Sequence, residues 1–308
     1  SPAKLDPVRA APQPSWPTGA TIDCRHAGLL LLFPAMVELG LHELVGQAGY
    51  PSTSAITAWQ SIGTLLLAKC ARRHRAHHID ALTDDAGLAF GLRLTALPKA
   101  THAGSYSYRV RRESNTNLLT GLVTALRPLG MASGTEGFNL DFHAIRHHGE
   151  HTALEKHYVP RRSQRTRAVL TFFAQDHAST EMVYANAEIT KAEQAREIIA
   201  FADYWQHATG EDPRLLVFDS QLTTYKVLDE LTARGIRWLT LRQRGSTELA
   251  RLAALPAAKW KTTTIARSGR YRRPQLHEDM IKLKDVDTRV RQIAIRNISR
   301  DEPTLLIA

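Results

Sequence analysis

The chain has 308 residues, 43% of them hydrophobic and 23% charged, which is enough apolar material for a sizeable core and about two domains. This composition excludes collagen, long coiled coils and wholesale disorder. Lys and Arg number 40 against 30 Asp and Glu, so the formal net charge is +10. An excess of Lys and Arg releases counterions from nucleic acid, so a phosphate-bearing partner fits this charge, but charge alone does not identify a partner.

Two cysteines, Cys24 and Cys70, are too few for a disulfide framework or a four-thiolate zinc site, which favours a reducing, intracellular setting. The most apolar run, residues 27–37, is shorter than the ~20 residues that a bilayer span needs, so no membrane helix is predicted. The chain begins with Ser and shows no signal-peptide pattern, so we expect the natural N-terminus to be missing or processed.

The first half of the chain reads as helical. Residues 1–24 contain several prolines and predict a flexible lead-in, and helix periodicity over 25–132 predicts a helical N-terminal domain. Within it, arginines and histidines are concentrated over residues 72–78. This run is either a patch that contacts phosphates or a solvated helix end whose cations complement the helix dipole.

Residues 133–244 have a different sequence pattern, in which short strand-like runs alternate with helical segments. Thr190 and Glu193 form a capping-box pattern that predicts the start of a helix, and Gly210 predicts its end. The predicted order is three strands, helix, strand, helix, strand, over 139–145, 152–159, 167–174, 190–210, 215–218, 222–235 and 236–241. Such alternation indicates an α/β layer whose later strands are parallel.

The last part of the chain, residues 245–300, is predicted to be β-rich. Residues 262–265 and 290–295 are strand-like, with basic, turn-rich sequence between them. Residues 301–308 look like the start of another buried strand, after which the chain ends.

Two acidic residues occupy positions that favour metal chemistry over stability. Asp141 lies in the middle of a predicted strand, where aspartate is depleted, and Asp219 follows a buried strand at the edge where open α/β sheets bind ligands. If the two strands are neighbours, the carboxylates converge and need a cation such as Mg²⁺ or Mn²⁺. Taken singly, Asp141 could instead be an edge-strand charge and Asp219 a helix N-terminal residue.

Several segments resemble the catalytic core of bacterial insertion-sequence transposases of the DDE class. The resemblance rests on their order along the chain, and residues 91–109 also resemble the helical segment that precedes this core. The matching core segments are 139–141, 158–162, 174–176, 216–220, 222–225 and 239–244. The resemblance implies an RNase H-like mixed sheet preceded by a helical domain and followed by a β-rich insertion.

The resemblance also implies roles for individual residues. Asp141 and Asp219 match the first two catalytic and metal-binding carboxylates, and the third, a Glu, is unknown here. Glu278 and Glu302 lie in the wrong context for it, which suggests truncation at the C-terminus and a fragment that is inactive by itself. A transposase would use two Mg²⁺ or Mn²⁺ ions to cut duplex DNA at the element ends and to join the 3′-hydroxyl to target DNA.

Basic side chains near the site are expected to hold the DNA backbone without reading its sequence. The candidates are Arg161, Arg162, Arg165, Arg167, Arg242 and Arg244. Joining two ends implies a possible homodimer, in a bacterial cytoplasm near the nucleoid. No Gly-rich phosphate loop is present, so no nucleotide cofactor is expected.

Other functions compete with this one. A zinc site is a weaker hypothesis, because the segment that carries the histidines reads as strand and turn; these are His143, His147, His148, His151 and His157. Ser220 has no nucleophile elbow around it, so a capping role is preferred. The alternatives to a transposase are an RNase H-like nuclease that cuts without joining and a non-catalytic DNA-binding relic.

Overall fold

The computed structural model contains two compact units, residues 1–129 and 130–308. It describes residues 19, 21, 23–91, 97–147, 154–159, 163–219, 224–264, 273–283, 289–297 and 302–308. The predicted lead-in over 1–24 therefore lies almost entirely outside the described residues.

The first unit is helical, as the periodicity predicts. Its helices are α1 (Phe33–Glu38), α2 (Leu41–Gln47), α3 (Ala58–Cys70), α4 (Asp80–Thr83), α5 (Ala86–Gly91), α6 (Ala100–Tyr106) and α7 (Arg112–Leu126), with 3₁₀ turns at Ala27–Leu32, Ala76–Ile79 and Arg127–Leu129. Buried apolar side chains such as Val45, Leu67 and Leu82 form its core. Burial of such side chains, more than intrinsic propensity, stabilises helices as short as these.

A buried carboxylate ties the chain before α1 to the start of α5. Asp85 is the N-terminal cap of α5: its Oδ1 accepts a bond from the Leu88 amide at 3.1 Å. Its Oδ2 accepts the His26 amide at 2.9 Å and lies 2.9 Å from His26 Nδ1. Burial raises the pKa of Asp85, but the hydrogen bonds from His26 and Leu88 outweigh it, so the net pKa lies below the usual value.

Replacing Asp85 by Asn is expected to destabilise the first unit by about 2 kcal/mol, because the buried His26 contacts lose a charged acceptor. The lowered pKa means that Asp85 contributes stability above the ordinary aspartate pKa, and this contribution disappears as the pH falls through the folded-state value. Thermal unfolding of the native protein and of D85N between about pH 3 and pH 7 tests this, since the difference between them should vanish at the acid end.

The neighbouring exposed residue Asp84 provides the control for this experiment. Asp84→Asn removes the same charge without a buried partner and should change the melting temperature little at any pH. A pH-independent difference between the native protein and D85N would contradict the assignment of the stabilisation to the ionised carboxylate.

Within the described residues, no single helix has the length and apolar character that a membrane span requires. The pair Ala27–Glu38 and Leu41–Gln47, bent by 64°, meets the criteria of length and composition only when both helices are taken together.

The second unit is a mixed α/β structure. Its strands are β1 (Phe138–Arg146), β2 (Glu155–Val159), β3 (Gln164–Asp176), β4 (Met182–Ile189), β5 (Leu215–Phe218), β6 (Arg237–Leu241), β7 (Lys261–Thr262), β8 (Gln275–Lys282), β9 (Arg289–Arg296) and β10 (Thr304–Ile307). Its helices are α8 (Glu197–Thr209), α9 (Tyr225–Ala233) and α10 (Ser246–Ala253).

All ten strands belong to one sheet of order β2-β3-β1-β5-β6-β10-β9-β8-β7, with β4 also paired to β3. β1 is antiparallel to β3 and parallel to β5, and β5 is parallel to β6. From β6 onwards the pairing becomes antiparallel again, through β10, β9 and β8. The parallel strands predicted for the second half of the core are confirmed, and the β-rich region after 245 extends the same sheet.

The three helices of this unit pack on one face of the sheet. Phe138 of β1 contacts Phe201 and Trp205 of α8, with ring centroids 5.1 and 4.5 Å apart. On the same face, Trp238 donates from Nε1 to Thr232 Oγ1 of α9 at 3.0 Å. The contact of Leu252 in α10 with Leu305, Ala294 and Trp260 extends this layer across the added strands.

The structure corrects several predicted elements. β4, β8 and α10 were not predicted. Of the predicted strand over 262–265, only Thr262 lies in a strand, β7, and residue 265 lies outside the described residues. Thr190 and Glu193 do bond to each other, with Thr190 Oγ1 and N both donating to Glu193 Oε2. They close a turn, however, and α8 begins only at Glu197. Gly210, in a left-handed conformation, ends α8 as predicted.

Candidate active site

The register of the parallel pair β1–β5 brings the two predicted aspartates together. Phe138 pairs with Leu216 and Leu140 pairs with Phe218. The next step of this register places Asp141 beside Asp219, at the end of β5. Because neighbouring strands are about 4.8 Å apart, the two residues are adjacent although they are distant in sequence.

Both aspartates lie on the face of the sheet opposite to α8. Leu140 and Phe218, the residues just before them, are buried on the helix-covered face, and successive side chains of a strand alternate between faces. Asp141 and Asp219 are accordingly exposed. On β3, the residue that pairs with Asp141 is Phe173, which supplies no countercharge.

This donor set fits a hard divalent cation in part. Two exposed, adjacent carboxylates repel each other unless a proton or a cation neutralises them, and carboxylate oxygens are the ligands that Mg²⁺ and Mn²⁺ prefer. Among the described residues, however, no cluster of three or more His, Cys, Asp or Glu is arranged to hold a metal ion. The pair therefore supplies two ligand positions and leaves the third carboxylate unidentified.

Gly137 allows the start of β1 to pair with β5 in this register. Its φ of +97° lies in a region that other residues adopt only with strain, and an added Cβ would overlap the carbonyl oxygen and Cβ of Leu215 at the start of β5. The residue therefore allows β1 and β5 to approach each other just before the aspartates.

A buried carboxylate at the end of β3 holds the segment that leads into β1. Asp176 is fully buried, and its Oδ2 accepts bonds from the Ser133 amide at 3.0 Å and from Ser179 Oγ at 2.7 Å. Its Oδ1 has no hydrogen-bond partner. In the sequence Asp176 stands out only as part of a segment that resembles the transposase core, because its partner Ser133 is 43 residues away.

The predicted DNA-binding arginines fall into three groups. Arg161 and Arg162 lie outside the described residues. Arg165 and Arg167 are exposed on the β3 segment that pairs with β2, which leaves both available to a phosphate backbone.

Arg242 and Arg244 make contacts within the second unit. Arg242 donates to Gln292 Oε1 and lies 3.6 Å from Glu248, whereas Arg244 pairs with Glu302 at 3.1 Å. The hydrogen bond from Arg251, with burial opposing it and Gln292 adding to it, lowers the pKa of Glu248 below its usual value. Both arginines thus fasten β6 to the added part of the sheet.

The remaining candidates do not gather around the aspartates. Glu278 pairs with Arg291 on β9 at 2.8 Å, and Glu302 with Arg244. Ser220 lies outside the described residues.

Three of the five histidines of the zinc hypothesis are described. His143 is exposed on β1, His147 has a buried Nε2 without a partner, and His157 lies 3.7 Å from Glu155. The pKa of His157 is lowered by burial and by Lys191. These three do not form a metal-binding cluster, whereas His148 and His151 lie outside the described residues.

No family model matches the sequence, and no curated protein matches it. Among solved structures, the chain is similar to a piggyBac transposase, determined by cryo-electron microscopy as a synaptic complex with hairpin DNA. The identity is 10% and the TM-score 0.35, over 88% of this chain and 51% of that chain. The chain thus spans about half the length of the transposase chain to which it is similar.

Proposed function

We propose that the second unit is the RNase H-like catalytic core of a DDE transposase of the insertion-sequence type, which cuts duplex DNA at element ends and joins it to a target. The observation that supports this proposal is the β1–β5 register, whose last pair, Leu140 and Phe218, comes one residue before Asp141 and Asp219. Carboxylate oxygens that follow neighbouring strands in this way are the ligands that Mg²⁺ and Mn²⁺ prefer.

The strand order supports the same proposal. A strand flanked by an antiparallel partner on one side and parallel partners on the other, as β1 is by β3 and by β5 and β6, is the mixed sheet that the sequence resemblance implies. The strands β7–β9 then correspond to the β-rich insertion of that family, and β10, which pairs with β6, corresponds to the final core strand.

In this proposal, Asp141 and Asp219 hold divalent metal and leave positions open for phosphate and water oxygens. When bound, Mg²⁺ or Mn²⁺ would lower the pKa of an attacking water or 3′-hydroxyl and stabilise charge on the leaving oxygen. Arg165 and Arg167 would neutralise backbone phosphates and orient the DNA. A third carboxylate and a second protomer complete the proposed site.

Metal binding provides the direct test. Titration with Mn²⁺, followed by loss of the free-ion electron paramagnetic resonance signal, should show a site that Asp141→Asn or Asp219→Asn weakens at least about tenfold, because each removes one of two charged ligands. Asp84→Asn, an exposed aspartate in the other unit, is the matched control and should leave Mn²⁺ binding unchanged.

The stability of the same variants separates a functional pair from a structural one. Since asparagine relieves the repulsion between neighbouring carboxylates, D141N and D219N should melt at or above the native temperature without metal. Native Mn²⁺ affinity in both variants would contradict the proposed site, and a lower melting temperature would assign the aspartates to the fold.

A further inference from the structure

The run of arginines and histidines in the first unit has no part in the proposed catalytic site. We propose that this segment, the basic turn at residues 72–78, is a second DNA-binding surface that holds the phosphate backbone of a duplex. The identification of the polyanion as DNA rests on the proposed function. The residues of the basic turn are Arg72, Arg73, His74, Arg75, His77 and His78.

The backbone at the start of the basic turn has a conformation that glycine would adopt at lower cost. After α3 the Arg73 amide donates to Ala68 O at 2.7 Å and the Arg72 amide donates to Lys69 O at 2.9 Å, which is the bond pattern of a Schellman helix end. The left-handed position of this motif, usually glycine, is occupied by Arg72 with φ +56°. Such backbone outliers cluster at functional sites, where the side chain offsets the cost of the conformation.

Among the described residues of the first unit, no ion pair involves the basic turn. Both ion pairs that the structure describes between residues 19 and 129, His26–Asp85 and His42–Glu43, lie elsewhere. The nearest acid along the chain, Asp80, accepts a bond from the Ala100 amide at the start of α6. The basic turn thus presents a field of one sign.

The cations of the basic turn are close enough to repel one another. The rings of His77 and His78 are 4.3 Å apart, and the pKa of His78 is lowered by partial burial, then by His77 and by the neighbouring arginines. Arg72, His74, Arg75 and His77 are exposed. Like charges held together at a surface gain most from a polyanion that also spans several residues, and a duplex carries one phosphate charge about every 1.7 Å along its axis.

Arg72→Gly distinguishes a binding role from a structural one, because the two roles predict different affinities for DNA. If Arg72 serves only the fold, glycine relieves the strain, the melting temperature rises, and DNA affinity stays the same. We expect the melting temperature to rise or hold while affinity for duplex DNA falls severalfold.

The salt dependence of DNA binding then measures the contribution of the whole basic turn. Fluorescence anisotropy with a labelled duplex of about 30 base pairs, in EDTA and between about 50 and 200 mM salt, gives the slope of log Kd against log salt. The triple variant R72G/R73Q/R75Q should reduce this slope by about 0.9 for each lost phosphate contact. Arg25→Gln with Arg111→Gln, exposed charges of the same unit outside the basic turn, should change it much less.

The outcomes separate this inference from the catalytic one. If the control and the triple variant change the salt slope equally, the basic turn is not a DNA-binding surface. The same conclusion follows if the native protein binds phosphatidylserine vesicles as tightly as DNA at the same salt. Because EDTA removes divalent metal, a failed Mn²⁺ titration at Asp141 and Asp219 would refute the catalytic site and leave a measured salt slope intact.

Discussion

Replacing Gly137 by alanine is expected to destabilise the second unit by about 3 kcal/mol or more. Two costs add up: the residue has φ +97°, and the new Cβ would overlap Leu215 at the start of β5. Relief of that overlap requires β1 and β5 to separate at the end that leads to Asp141 and Asp219. Denaturant unfolding measures the loss, and Mn²⁺ titration of the folded fraction measures its consequence for the carboxylates.

Gly210 provides the control for the steric part of this effect. It has φ +80° at the end of α8, but nothing lies within 4 Å of an added Cβ, so Gly210→Ala should cost only about 1 kcal/mol from backbone strain. Equal losses for G137A and G210A would show that the contact with Leu215 does not determine the spacing of β1 and β5.

Replacing Glu197 by leucine is the second substitution with a large expected effect, about 3 kcal/mol, because it removes the charged acceptor of two buried hydrogen bonds. Glu197 is buried at the first position of α8, and its Oε1 accepts bonds from Tyr184 at 2.9 Å and Asn186 at 2.8 Å on β4. The carboxylate also complements the positive end of the helix. The melting temperature should fall by about 6–12 °C at this domain size.

Glu197→Gln keeps the shape and one acceptor oxygen, so its loss should be about a third of that of the leucine variant. If leucine is tolerated as well as glutamine, the hydrogen bonds to β4 contribute little and apolar packing of α8 is sufficient.

The elements that could be predicted from the sequence are those whose apolar residues follow a single regular pattern. The strict alternation around Leu140 predicts β1, and the unbroken apolar run Leu215–Phe218 predicts a strand inside the sheet. β5 does lie between β1 and β6, but it is fully buried on one face only, with Leu215 and Val217 half-buried on the other. Because both strands were placed and the edge that follows β5 is known for parallel sheets, their convergence at Asp141 and Asp219 could be anticipated.

The missed strands lack that periodicity for identifiable reasons. Two register shifts in the β3–β4 pairing put Val183 and Tyr184 side by side in the core, which breaks the period of two. β8 carries Glu278 and Asp279, residue types depleted in strands, and there they pair with Arg291 and Arg251. The partners that make these charges acceptable are distant in sequence.

Separation along the sequence also limits what could be predicted about the site. Arg242 and Arg244 look like free DNA contacts in the sequence, but they bond to Gln292 and Glu302, which are 50 and 58 residues away along the chain. The strain at Arg72 is equally invisible in sequence, because an arginine run carries no sign of a left-handed backbone.

The far end of the sheet is β7, which has only two residues, Lys261 and Thr262. An edge strand so short offers few free amide and carbonyl groups to a second chain, and a lysine there would bury its charge if another strand were added. At this position the sheet is therefore a poor template for a further strand, and two chains should not associate edge to edge through β7.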